Sequence, residues 1–262
     1  MDSDRILTEC RDGVFTATIN RPARLNAADR ATAAALRDAL REAREDDAVR
    51  AVVITGVGRG WCSGADLARD EDQPIMSRNV RKTPLYEYAQ VTQLIDGMDK
   101  PVIAAVNGMA AGAGMSWATA CDRRIAAESA RFAAIFVRRG LCPDAGISYF
   151  LPRLVGMSTA IHLLTTGEII DAKQALAIRL ADEVVADDEL AERAHTYAAT
   201  LAAGASIAVD LARRAARRSF ERTLESSLEY ETWSQSVVGS TEDRLEGVKS
   251  FLEKREPRFK GQ

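Results

Sequence analysis

Two short glycine-rich stretches hold the residues best suited to chemistry. The first runs Ser63-Gly64-Ala65-Asp66-Leu67 and the second Gly112-Ala113-Gly114. Small side chains let a ligand approach the main chain, and amides at the start of a helix have no internal partner. Such amides stabilise negative charge that develops during a reaction. The Ala65 and Ala113 amides are therefore candidates for an oxyanion hole, two N–H donors aimed at one developing anion. The same glycines also suit plain tight turns. A dinucleotide cradle fits poorly: Trp61 stands where GxGxxG needs its last glycine after Gly56 and Gly58, and Trp117 does the same after Gly112 and Gly114. Neither stretch is a phosphate-binding P-loop.

The elements that must position these loops alternate. Residues 13–19 (VFTATIN) have the period of a strand, and an alanine-rich helix is expected from Ala27 to about Asp46. The β-branched run at 51–55 feeds the first glycine loop; PVIAAV at 101–106 feeds the second, which opens into the helix-like MSWATA. Strand, loop and helix in series predict an α/β fold, with a parallel sheet buried on both faces and crossed over right-handedly. Strand signals stop near residue 187, and helices rich in Ala, Leu, Arg and Glu run to Phe251. A core at 1–195 and a helical region at 196–262 are expected, the latter packing on the core or on a neighbouring subunit.

Composition bounds the function classes. The 262 residues suffice for one sizeable core with an appendage, and 47% hydrophobic with 28% charged residues is a globular balance. A net charge of -3 gives no global field to recruit nucleic acid or an anionic membrane. The opening MDSDRILTEC has no basic stretch followed by an apolar one, and no run is long enough to span a bilayer, so a cytoplasmic location is expected. Cys10, Cys62, Cys121 and Cys142 form no CxxC pair, and with His162 and His195 as the only histidines no metal site is expected.

A resemblance adds to this reading. Asn20-Arg21-Pro22 with Asn26-Ala27, then TGVGRGWCSGADL, then KPVIAAVNGMAAGAGM with Cys121-Asp122, are similar in order and spacing to signatures of the crotonase (enoyl-CoA hydratase/isomerase) superfamily. The likeness continues through Gly140-Leu141-Cys142-Pro143-Asp144-Ala145-Gly146 and SYFLPRLVG to the tail EGVKSFLEKREPRF, which is essentially the whole chain. It implies stacked ββα turns, a trimer or dimer of trimers, and an acyl-CoA thioester held between subunits. Ala65 and Ala113 match the two oxyanion positions. No separate cofactor is implied, coenzyme A being part of the substrate.

Hydratases that this sequence resembles use two glutamates on one water; here those positions read Ser116 and Phe136. Hydration needs one group to activate water and another to deliver a proton, so ordinary hydratase chemistry is not expected. Asp144 stands where several branches of the family, both isomerases and 3-hydroxyisobutyryl-CoA hydrolases, carry an acid and is expected to serve as a single base, although Asp after Pro143 also suits a turn. Phe136 would form an apolar wall that raises the pKa of a neighbouring Asp and suits a bulky or aromatic acyl chain. Arg24, Lys254 and Lys260 are candidates for the phosphates of coenzyme A. Substrate contacts are thus expected from Arg24, residues 63–67, Gly112, Ala113, Ser116, Phe136 and Lys254. Two alternatives stand beside an isomerase: a hydratase or thioester hydrolase drawing another acid from 68–98, and an acyl-CoA binding protein without turnover. Ala68 replaces a lysine that some relatives place near the nucleotide, and Tyr149, Glu71, Asp72, His162 and His195 are expected to be structural or solvated.

Overall fold

The computed structural model describes residues 4–67 and 87–262, so Ala68, Glu71 and Asp72 lie outside the described residues. The chain opens with an antiparallel hairpin of β1 (Ile6–Arg11) and β2 (Val14–Ile19). Asp12 and Gly13 close it at φ 53° and 73°, the positive-φ pair that matches a two-residue turn to strand twist. Helix α1 (Arg30–Glu45) then leads to β3 (Ala51–Gly56).

Three turns repeat one plan of long strand, three-residue strand and helix. β3 is followed by β4 (Gly60–Cys62) and α2 (Glu87–Asp96). β5 (Val102–Val106) is followed by β6 (Met109–Ala111) and α3 (Ala113–Ala120). β7 (Arg123–Ala127) leads to β8 (Arg131–Ala133) and, past a 3-10 turn at Ile135–Arg139, to α4 (Ile147–Val155). The chain continues through α5 (Met157–Thr166), β9 (Ile169–Asp171), α6 (Ala172–Ala177) and β10 (Glu183–Val185). It finishes in α7 (Leu190–Ala202), α8 (Ser206–Arg217), α9 (Leu224–Gly239) and α10 (Glu242–Glu253). These are the ββα turns that the resemblance implies.

The long strands build a sheet in the order β1-β2-β3-β5-β7-β10, and the short ones a second sheet, β4-β6-β8-β9. The single parallel sheet expected from the alternation is therefore corrected in two respects. There are two sheets, because the glycine-rich stretches contain the three-residue strands β4 and β6, which β8 and β9 extend into a second sheet; and the β1–β2 and β8–β9 pairs are antiparallel.

The central strands of the first sheet are buried on both faces, which is why β3 and β5 read as unbroken apolar runs. Val52, Ile54, Val102 and Ala104 join the main core with Leu36, Trp61 and Trp117. Ala51, Val53, Ile103 and Ala105 point the other way, onto Leu190, Ala194, Ala198 and Ala202 of α7. Those four residues recur at intervals of four, the repeat of one helix face. Each large side chain so buried contributes roughly 1.5–3 kcal/mol relative to exposure. The boundary expected at residue 195 falls inside α7, whose apolar stripe belongs to the sheet. Among the described residues no helix is long and apolar enough to cross a membrane.

Candidate active site

The first glycine loop leaves β4 and runs beside Ala28. The Ala28 N–H donates to the Gly64 carbonyl at 2.8 Å and the Asp66 N–H donates to the Ala28 carbonyl at 2.9 Å, so Ala28 and Ala65 face each other as an isolated parallel bridge. Those two bonds bracket Ala65 and turn its own N–H to the opposite side. That amide has no hydrogen-bond partner among the described residues. The loop is anchored further by Asn26, which is fully buried: its Nδ2 donates to the carbonyls of Val57 and Gly60, and its Oδ1 accepts from the Arg21 N–H at 2.7 Å. Arg21 in turn pairs with Asp66 at 2.7 Å and lies 3.7 Å from Asp29, the N-cap of α1. The Asn20-Arg21-Pro22 and Asn26 signature thus braces the loop from below.

The second loop leaves β6 at Gly112, whose φ of 52° and ψ of −125° suit glycine and swing the chain into α3. Ala113 is the first residue of that helix, and its N–H also has no partner among the described residues. The two loops meet main chain to main chain. A Cβ on Gly64, at φ 101°, would lie 2.9 Å from the Ala111 carbonyl oxygen and 3.6 Å from the Gly112 Cα. A Cβ on Gly114 would fall 2.1 Å from the Cys62 carbonyl oxygen. Glycine is required at both places so that the two outward amides can approach each other.

A cleft of about 290 Å³ opens where the loops meet. It gathers most of the residues singled out from the sequence: Arg24, Ser63, Gly64, Ala65, Asp66, Leu67, Gly112, Ala113, Phe136 and Asp144. Phe136 is buried in the wall, Asp144 is half-buried in the turn before α4, and one carboxylate oxygen of Asp144 is closed off from solvent. Asp66 is held in its ion pair with Arg21, as expected of a carboxylate that is almost fully buried. Burial pushes the neighbouring Cys62 thiol up to about 12, which keeps it protonated and inert.

Two expected contacts do not reach the cleft. Ser116 is fully buried and its hydroxyl turns back to the Gly112 and Asp144 carbonyls, because it follows Ala113 by one turn on the inner side of α3. Lys254 is the exposed, left-handed C-cap of α10, and the tail beyond it folds onto Arg50, which donates to the Phe259 carbonyl. Lys260 pairs with Glu242 at 3.5 Å. His162 and His195 bond to Glu168 and Asp12, outside the cleft. A larger hollow of about 430 Å³ beside the tail is lined by charged residues that pair among themselves, such as Arg255 with Glu246 at 2.6 Å.

The cleft also holds Ala27 and Leu141, which stand in the quoted signatures, and Tyr88, Ile135 and Arg139, which the sequence did not single out. The Tyr88 hydroxyl donates to the Ala28 carbonyl at 2.7 Å, so it bonds to the residue that bridges to Ala65. Trp117 donates from its indole N–H to the Tyr88 carbonyl at 3.0 Å, which ties α2 to α3. Nothing in local spacing marks Tyr88, although Ile135 and Arg139 flank Phe136.

Known proteins resemble this chain along its length. A family model described as enoyl-CoA hydratase/isomerase matches residues 9–262. The 1,2-epoxyphenylacetyl-CoA isomerase of Escherichia coli (strain K12) is 37% identical over 257 residues, 98% of each chain. The crotonyl-CoA hydratase of Syntrophomonas wolfei is 34% identical over 264 residues, 99% of each chain. The crystal structure of an enoyl-CoA hydratase from Bacillus anthracis superposes with a TM-score of 0.91 at 33% identity, covering 98% of this chain and 100% of that one.

Proposed function

Because the chain belongs to the enoyl-CoA hydratase/isomerase family, we propose that it shifts a carbon–carbon double bond in an acyl-CoA thioester, with Asp144 as the single acid and base. The observation that carries this reading is the cleft itself, where Ala65 and Ala113, whose amides have no partner among the described residues, line one space with Asp144. Asp144 takes a proton from C2 of a 3-enoyl thioester. The electron pair moves into a dienolate, and its oxygen accepts hydrogen bonds from the two amides. Asp144 then returns the proton to C4, which leaves the double bond between C2 and C3. No water or second acid takes part, which fits Ser116 and Phe136 where hydration would need carboxylates.

Relatives include enzymes named isomerase and enzymes named hydratase, so names alone do not choose between them. The apolar side of the cleft, with Phe136, Ile135, Leu141 and Tyr88, favours a bulky or aromatic acyl group. Arg24 at the same cleft is the proposed partner of a coenzyme A phosphate. The thioester is proposed to be bound by a trimer or dimer of trimers.

The test is to give the protein a 3-enoyl-CoA and follow the conjugated product by ultraviolet absorbance. Isomerisation is expected, with Asp144→Asn slower by at least ~100-fold, the usual contribution of a positioned acid-base group. An unchanged rate in Asp144→Asn would point to a hydratase or hydrolase acid elsewhere. Binding without turnover of any thioester would leave an acyl-CoA binding protein.

A further inference from the structure

The turn that carries Asp144 is conformationally costly and is pinned from two sides. Ala145 lies in the left-handed region at φ 47°, and Gly146 follows at 85°. An L-residue keeps such a conformation only where its surroundings fix it. Here two hydroxyls do so. Ser116, on α3, donates from Oγ to the Asp144 carbonyl at 3.0 Å and lies 3.1 Å from the Gly112 carbonyl. Thr92, on α2, donates from Oγ1 to the Ala145 carbonyl at 2.7 Å. Its methyl also closes the next position, since a Cβ on Gly146 would lie 2.9 Å from it.

Both side chains are buried, and neither lines the described cleft. They act on the main chain that aims the carboxylate. The helix that bears Ser116 begins at Ala113, so one hydroxyl lies between the loop of a charge-stabilising amide and the turn of the proposed base. The relative placement of those two groups must hold within a fraction of an ångström for proton transfer.

We infer that Ser116 and Thr92 are positioning residues, which set the reach of the Asp144 carboxylate by clamping two successive carbonyls of its turn. The inference rests on the isomerase reading with Asp144 as base. It accounts for a serine where the family's hydratases carry a glutamate: at this site the hydroxyl serves the turn.

The experiment compares Ser116→Ala, Thr92→Val and Thr92→Ser with the native chain and Asp144→Asn, using 3-enoyl-CoA isomerisation together with hydrogen exchange of the 143–147 segment. In Ser116→Ala and Thr92→Val, kcat is expected to fall between about tenfold and 100-fold with KM held within about twofold, as for a misplaced catalytic group. Thr92→Ser, which keeps the hydroxyl, is expected to restore the native rate. Amides of the turn are expected to exchange faster in the two hydroxyl-free variants and normally in Thr92→Ser. If Asp144→Asn is inactive while Ser116→Ala and Thr92→Val keep native kcat, the positioning role is overturned and the isomerase reading stands. A rise in KM with kcat unchanged also overturns it, because the hydroxyls would then serve substrate binding. Full rate in Asp144→Asn overturns the base assignment and this inference with it.

Discussion

At Ala113 the atom of interest belongs to the main chain, so an ordinary side-chain replacement leaves it in place. Proline is the exception, and the first position of a helix is where proline is best tolerated, since its missing N–H has no helical partner there. Ala113→Pro is therefore expected to keep α3 intact by circular dichroism while lowering kcat by about 10²–10³, the usual cost of one oxyanion donor. A native rate in this variant would remove the Ala113 amide from the mechanism. Gly64 and Gly112 cannot be tested as cleanly, because a side chain at Gly64 would collide with the neighbouring loop and Gly112 sits in a conformation that suits glycine.

The first glycine loop depends on how α1 begins. Asp29 caps that helix: its Oδ1 accepts from the Thr32 N–H at 2.8 Å, and its carboxylate meets Arg5 at 3.0 Å. Burial raises the Asp29 pKa, but the Thr32 hydrogen bonds and the charges of Arg21 and Arg5 together outweigh it and hold the group below the ordinary carboxylate value. A depressed pKa means that this contribution is fully present above the ordinary Asp value and is lost as pH falls through the lower, folded one. Asp29→Ala is expected to destabilise the protein by about 1–2 kcal/mol at neutral pH, measured by urea unfolding. The difference should shrink below about pH 4 as the native carboxyl is protonated. A pH-independent difference would show that the charge of Asp29 contributes nothing. The same element scale sets what was legible in the sequence. β2, β3 and β5 announce themselves as apolar runs, and α1 by its alanines. β4, β6 and β8 do not, because three residues are too short for any period, and β4 and β6 are also embedded among glycines read as loop. The candidate site was legible where it depends on small residues, at Ala65 and Ala113, or on the motif around Asp144. It was not legible at Tyr88, whose place depends on how α2 docks, or at Ser116, whose hydroxyl folds back along its own helix.

Over the whole molecule, the C-terminal helices look unfinished. No residue of α9 is buried, and Leu224, Leu228 and Trp233 are more than half exposed; on α10, Leu245, Phe251 and Leu252 are too. Exposed apolar residues in such density mark an interaction surface, and we propose that another copy of the chain covers it. The expected outcome is a trimer or dimer of trimers by analytical ultracentrifugation, shifting toward monomer in Leu224→Glu/Trp233→Glu. A native monomer at micromolar concentration would refute this.

The contact between Gly64 and Gly112 has a consequence for how such a chain diversifies. It contains no side-chain atom, so the part of the site proposed to receive an anion is inherited as shape, insensitive to most coding changes around it. The proposed proton-moving group, Asp144, is an ordinary replaceable side chain on a separate turn. A lineage built this way can exchange one reaction for another by single substitutions, without having to reinvent the receptor for the charge that all of those reactions share.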